Sequence, residues 1–305
     1  MQSLGNVKVL LYDPNLEFLG TIRNVLRESG FGDISSTNTP EAVRVALDCN
    51  EVDLLIGYAH AEDNALCTII KDVRDRRLGE NPFPVVIGLT DDKHRDSMTK
   101  VVNAGFDGLA LKPLDPPVFR KRIEYFLQKR KPFVATADYI GPDRRQDIRS
   151  AEAFKAQMNV PNPVKIIAEG TSRTMMMQQV SEVSAALDER KILSDVRGVN
   201  WIAGKMTAAN AVGNAKVLES GIRQLDMISH DIDWRLNRTI YRHVRELCDS
   251  LLEVSGRLME SMNKPNGKDI EDLRDLAQKI LNRCDAEHPD TIRAREGQKM
   301  PVAHA

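Results

Sequence analysis

Over the first 130 residues, short apolar runs alternate with stretches whose apolar positions recur every three or four residues. Val7-Lys8-Val9-Leu10-Leu11-Tyr12 is the first run, and Asp13-Pro14-Asn15 breaks it. Leu16, Leu19, Ile22, Val25 and Leu26 then follow at helical spacing, stopped at Gly30. The pattern repeats as a weak strand at Ile34 to Thr37 with a helix opened by Pro40, then Asp53 to Tyr58 with a helix from about Asn64 to Arg76. Pro84 to Leu89 precedes a helix from Lys93 to Ala104, and Leu109 to Leu111 precedes a last one from Pro116 to Lys129. Near-continuously apolar strands alternating with amphipathic helices predict a parallel sheet covered on both faces. Five such units suit an α/β, flavodoxin-like, doubly wound sheet, whose working site lies at the carboxyl ends of the strands. Those ends hold Asp13, Tyr58, Thr90 and Lys112.

The pattern changes further on. Phe133 to Pro163 carries prolines and little periodicity and reads as a linker. Within it, Tyr139-Ile140-Gly141-Pro142-Asp143-Arg144-Arg145 reads as a turn followed by two solvated arginines, or as a docking tag for an acidic partner. From Thr171 the chain reads as all helical. A helix starting at Thr174 carries Val180, Val183, Ala186 and Leu187, and a longer stretch runs from about Gly204 to Met262. Leu218, Ile222, Leu225, Ile228, Ile232, Leu236, Ile240, Val244, Leu247, Leu251, Val254 and Leu258 form its seam. That seam calls for a kink near Gly213 or Gly221, or for a coiled coil. Asn263 to Gly267 is a turn, and Asp269 caps a final helix. The expected division is 1–130 as the α/β domain, 131–171 as linker, 172–285 as a helical hairpin or bundle, and 286–305 as a disordered tail. A lone hairpin buries so long a seam poorly, so a homodimer is expected.

Composition narrows the function. The 43 Lys and Arg nearly balance the 44 Asp and Glu, so a whole-chain grip on nucleic acid is disfavoured. Cys49, Cys67, Cys248 and Cys284 lie far apart with no Cys-x-x-Cys pair, so neither a disulfide framework nor a zinc site is readable. No apolar run reaches the length of a membrane span and no signal peptide is visible, so a cytoplasmic protein without membrane insertion is expected.

The first 130 residues resemble a bacterial response-regulator receiver domain. The matching pieces are Val9-Leu10-Leu11-Tyr12-Asp13-Pro14-Asn15, Val52-Asp53-Leu54-Leu55-Ile56, Ile87-Gly88-Leu89-Thr90, Ala104-Gly105-Phe106-Asp107-Gly108 and Lys112-Pro113. The resemblance implies phosphoryl transfer from a phosphohistidine to an Asp at the end of the third strand, with Mg²⁺ held by that Asp and two acids after the first strand. Here Asp13 matches the second acid, Tyr12 stands at the first and Tyr58 at the acceptor. Thr90 and Lys112 match the phosphate-reading hydroxyl and ammonium, while Leu109 replaces the aromatic switch residue. The expectation is a degenerate receiver, not an enzyme, with no cofactor or metal and with Asp13 and Lys112 kept as an ion pair. A shifted acceptor at Glu62 or Asp63 is the alternative. Its last helix, through Arg120, Lys121 and Arg122, is the expected docking face for a signalling partner such as a kinase, a phosphotransfer protein or a scaffold.

Two features of the helical half offer other chemistry. Ser229-His230-Asp231-Ile232 resembles the H box of histidine kinases, which implies a phosphoacceptor at His230, although Trp234 and Arg235 depart from that pattern. His230 falls off the apolar seam and is expected to face solvent. Arg235, Arg238, Arg242 and Arg245 are spaced three, four and three, and would form one basic stripe for a phosphate backbone or an acidic helix, or a solvated face.

Overall fold

The computed structural model describes residues 3–60, 65–145 and 157–287. Strands β1 (Val9–Tyr12), β2 (Ile34–Thr37), β3 (Leu54–Tyr58), β4 (Val85–Thr90) and β5 (Gly108–Leu111) form one parallel sheet in the order β2-β1-β3-β4-β5. Val9 pairs with both Ile34 and Leu54, Leu54 with Val85, and Ile87 with Gly108. Helices α1 (Leu16–Glu28), α2 (Pro40–Asp48), α3 (Ala65–Arg74), α4 (Arg95–Val102) and α5 (Pro116–Gln128) connect and cover it. This is the flavodoxin-like arrangement.

The period of two along each strand divides the core into two layers. Val9, Leu11, Leu54, Ile56, Val85 and Ile87 face α1 and α5, meeting Leu19, Ile22, Phe119 and Ile123. Leu10, Tyr12, Leu55 and Val86 face α2 and α3, meeting Val43, Leu47, Ile70 and Val73. Asn15 caps α1 by accepting from the Glu17 N–H at 3.0 Å, and Asp115 caps α5 by accepting from the Val118 N–H at 3.2 Å. Both caps stand just after a strand end, so the sequence that closes the helices also shapes the loops there.

Residues 131–171, expected as a linker, are built onto this domain wherever they are described. β6 (Phe133–Ala135) and β7 (Ile140–Pro142) form an antiparallel hairpin, and α6 (Pro163–Ala168) puts Val164, Ile167 and Ala168 into the α1–α5 layer. The clamp is ionic. Asp107 receives the buried Arg74 at 3.0 Å and Arg130 at 2.9 Å, and the two guanidinium carbons lie 5.1 and 4.9 Å from the Phe133 ring centre. Gly105, with φ +99°, lets the chain pass where a Cβ would meet Arg74 Cγ at 2.8 Å. The few apolar anchors here are spaced by prolines, so no periodicity betrayed them.

The chain divides into two compact units, 1–184 and 185–305. Helix α7 (Arg173–Ala211) runs through that division, a single helix where the sequence suggested a shorter one. The second unit packs the later part of α7 with α8 (Ala215–Leu236), a 3-10 turn (Ile240–Val244), α9 (Arg245–Glu260) and α10 (Gly267–Glu287) around one core. Cross-contacts give an up-down-up-down bundle. Lys191 meets Asp231 at 3.0 Å, Arg245 meets Asp233 at 2.9 Å, Arg257 meets Asp269 at 2.9 Å, and Arg197 meets Asp285 at 3.6 Å.

The expected long helix is therefore broken twice. Gly213, at φ +66°, ends α7, and Thr239 caps the 3-10 turn by accepting from the Tyr241 N–H at 3.4 Å. The seam survives because Tyr241 and Val244 stay buried through the turn. Ile240 turns outward, 47% exposed, but the rest of the seam packs against the chain's own helices, which removes the long stripe that motivated a homodimer. The tail proposed for 286–305 lies outside the described residues from 288 onward.

Candidate functional site

The carboxyl ends of the strands bring Asp13, Tyr58, Thr90 and Lys112 to one end of the sheet. The Asp13 carboxylate follows β1 and accepts from the Asn15 N–H at 3.0 Å, a turn that holds one oxygen in place. Its other oxygen receives the Lys112 ammonium. The two side chains are 3% and 15% exposed, so the pair is close to sealed. Lys112 Nζ also lies 4.3 Å from the ring centre of Phe18 on α1 and 4.3 Å from that of Tyr58 on β3. A cation between two aromatic faces and one carboxylate is well compensated, with each ring contributing about 0.5–2 kcal/mol. The Tyr58 hydroxyl points away and donates to Asp91 Oδ1 at 3.1 Å. Phe18 is the member the sequence did not announce. Its place one residue into the helix after Glu17, beside the end of β1, was the available signal.

Thr90 is buried, and its hydroxyl oxygen accepts from the Asp92 N–H at 3.3 Å. Tyr12 lies in the layer on the other side of the sheet from Phe18. Its ring packs into the α2–α3 layer, 3.3 Å from where a Cβ on Gly57 would sit. Leu109 packs over Gly88, where a Cβ would meet Leu109 Cδ2 at 2.5 Å. The alternative acceptors Glu62 and Asp63 lie outside the described residues.

Beside this pocket, a cavity of about 400 Å³ opens between α4, β5 and α5, lined among others by Met98, Leu109, Leu111, Val118 and Arg122. Of the three basic residues expected to dock a partner, Arg120 is paired with Glu28, while Lys121 and Arg122 lie exposed on α5. The Asp143-Arg144-Arg145 segment is not a free tag. Arg144 donates to the Phe106 carbonyl, and Arg145 holds Asp143 at 2.7 Å. That guanidinium keeps the Asp143 carboxyl well below the usual carboxylate range.

In the bundle, His230 is exposed on α8, with Nδ1 2.8 Å from the Asp226 carbonyl oxygen. The basic stripe does not exist. α8 ends at Leu236, and Arg235 is fully buried with Asp188 at 2.6 Å and Asp231 at 3.0 Å. Arg242 sits in the 3-10 turn, Arg245 pairs with Asp233, and Arg238 stacks on Trp234 at 4.5 Å. Sequence spacing failed here because it presumed one uninterrupted helix. It also missed a buried polar network on α7 and α8, formed by Asp188, Lys191, Asp195, Asp231 and Arg235.

Comparison with known proteins bears on the first unit alone. Chemotaxis protein CheY of Pseudomonas aeruginosa is 24% identical over 124 residues, which cover 40% of this chain and 98% of that protein. Among solved structures, an orphan response regulator of H. pylori is 22% identical, with 39% of this chain and 95% of that one covered and a TM-score of 0.34. Chemotaxis protein CheY4 of Vibrio cholerae is 17% identical, with 39% and 96% covered and a TM-score of 0.34. No family model matches the chain. The N-terminal 40% or so of the chain is a CheY-like receiver domain of the response-regulator type. A domain of this type supports a place in two-component signalling; the helical unit is covered by none of these matches.

Proposed function

We propose that the receiver acts as a phosphorylation-independent recognition module in a two-component signalling protein, with the helical unit as its output or partner-binding part. The observation that carries this reading is the filled pocket. Lys112, the ammonium that would read a phosphoryl group, is neutralised by Asp13 and enclosed by Phe18 and Tyr58. Tyr58 offers a phenol where an acyl-phosphate acceptor needs a carboxylate. Mg²⁺, which this fold family implies, wants several oxygen ligands. Among the described residues at the strand ends, Asp13 is already engaged by Lys112, so the set does not fit that ion. The recognition surface in this reading is α5 with the adjoining apolar cavity, through Lys121, Arg122, Leu111 and Val118; no catalytic role is assigned to it. The test is the amide spectrum of the full chain with Mg²⁺ and beryllofluoride, a phosphoryl mimic. Resonances at Thr90, Leu109 and Lys112 stay in place on this reading; shifts there would mean that the pocket still takes the ligand.

A second reading rests on His230. Its Nδ1 is tied to the helix backbone and its ring is exposed, which leaves Nε2 as the accessible nitrogen for accepting a phosphoryl group in a phosphotransfer role. An acid-labile adduct formed from a phosphorylated receiver, and lost in His230→Gln, would support it. No adduct with any donor receiver tried would remove it.

A further inference from the structure

Five ionisable side chains lie in the α7–α8 contact of the bundle, all but sealed from water. Asp188, Lys191 and Asp195 are spaced three and four apart on α7, so they share one stripe, and Asp231 and Arg235 are one turn apart on α8. They form a chain. Asp188 holds Arg235 at 2.6 Å, Arg235 holds Asp231 at 3.0 Å, Asp231 holds Lys191 at 3.0 Å, and Lys191 holds Asp195 at 2.5 Å. Asp195 is the end of that chain. It is 0% exposed, and its second oxygen, Oδ2, has no hydrogen-bond partner.

The charges do not balance. Among these five groups three carboxylates face two cations, and burying them together favours holding one of the acids protonated. We propose that the α7–α8 joint holds one proton on Asp195 at neutral pH and loosens when that proton leaves, making the joint a proton-held latch. The charged groups against Asp195 are Lys191 from its own helix and Asp231 from α8. Burial, resisted by Lys191 and reinforced by the Asp231 carboxylate, pushes the Asp195 carboxyl up to about 8. Burial works against ionised Asp231 too, but Arg235 and Lys191 hold that carboxyl well below the usual range, so Asp195 takes the proton.

The sign follows from linkage. Folded Asp195 binds its proton more tightly than the unfolded chain does, so this stabilisation is complete below the ordinary Asp range. It drains away as pH rises to about 8. Asp231 works in the opposite direction and only at acid pH. The turn, α9 and α10 bring three further buried titratable groups to the core, Tyr241, Cys248 and Cys284. Burial pushes the Tyr241 phenol up and the Cys248 thiol to about 12.

The chain has two tryptophans, Trp201 on α7 and Trp234 on α8, so their fluorescence reports the bundle alone. Thermal unfolding of the full chain is followed at about pH 5.5 and about pH 8.5. The wild-type midpoint falls by about 5 °C or more between them. In Asp195→Asn, whose amide cannot ionise, the midpoint stays level and exceeds the wild type at the higher pH. In Asp231→Asn the midpoint is lower at both. A wild-type midpoint that does not fall, or an Asp195→Asn midpoint that falls as far as the wild type's, overturns the latch. Should Asp195→Asn fail to fold, infrared spectra of the wild type decide. The carbonyl stretch of a buried protonated carboxyl is present at neutral pH and fades as pH rises; its absence at neutral pH overturns the proposal.

Discussion

The two units solve the same electrostatic problem in opposite ways. At the end of the receiver sheet one carboxylate, Asp13, meets one ammonium, Lys112, and two aromatic rings close around the pair. In the bundle, three carboxylates meet two cations, and one acid is left with an unpartnered oxygen. The first pairing is neutral as it stands. The second needs a proton to become neutral. The contrast teaches that burial alone does not make a charged cluster responsive; the surplus does. A pocket with two more carboxylates would require a cation, whereas one carboxylate paired with one ammonium does not.

The sharpest way to break the comparison is at Arg235. Arg235→Met keeps the volume and leaves Asp188 and Asp231 buried without their shared cation. The expected loss is about 3–5 kcal/mol, read by urea titration of the tryptophan signal. Lys112→Met should cost less, about 2 kcal/mol, because it strands one carboxylate where Arg235→Met strands two. Hydrogen exchange of the β1 and β3 amides measures it in the receiver alone. Adding Asp13→Asn to Lys112→Met should cost less than the sum of the two single changes, since the pair acts as a unit.

Smaller effects test the aromatic walls. Phe18→Leu removes one ring face from the ammonium and should cost about 1 kcal/mol beyond the change in packing, by the same exchange measurement. Tyr58→Phe keeps the ring and loses the exposed hydroxyl bond to Asp91 at 3.1 Å. Its expected cost is about 0.5 kcal/mol or less. A Tyr58→Phe effect as large as that of Phe18→Leu would mean that the hydroxyl, not the ring, holds the pocket.

Most of the receiver was legible because its three central strands are buried on both faces and its helices begin at capping residues such as Asn15 and Asp115. Both signals are local. The ion pair of Asp13 and Lys112 could be expected, since both residues follow strands at the carboxyl end of one sheet. Phe18 was not, because the cage depends on the side-chain direction of α1. The hairpin at Phe133–Pro142 was hidden because Arg74, Arg130 and Asp107, which clamp it, come from three distant segments. In the helical half, the break at Gly213 was among the kinks the sequence called for, but a continuous three-and-four spacing masked the second, between Leu236 and Arg245. Apolar periodicity persists through the 3-10 turn while the helix axis does not, so Arg235 was read as exposed and is fully buried.

The central claim is that the receiver pocket has exchanged phosphoryl chemistry for a closed internal pair. The full chain, incubated with acetyl phosphate and Mg²⁺, should keep its intact mass apart from any acid-labile adduct removed by His230→Gln. A hydroxylamine-sensitive adduct, the mark of an acyl phosphate, would contradict the claim. Its mapping to Asp13, Glu62 or Asp63 would show where the acceptor lies.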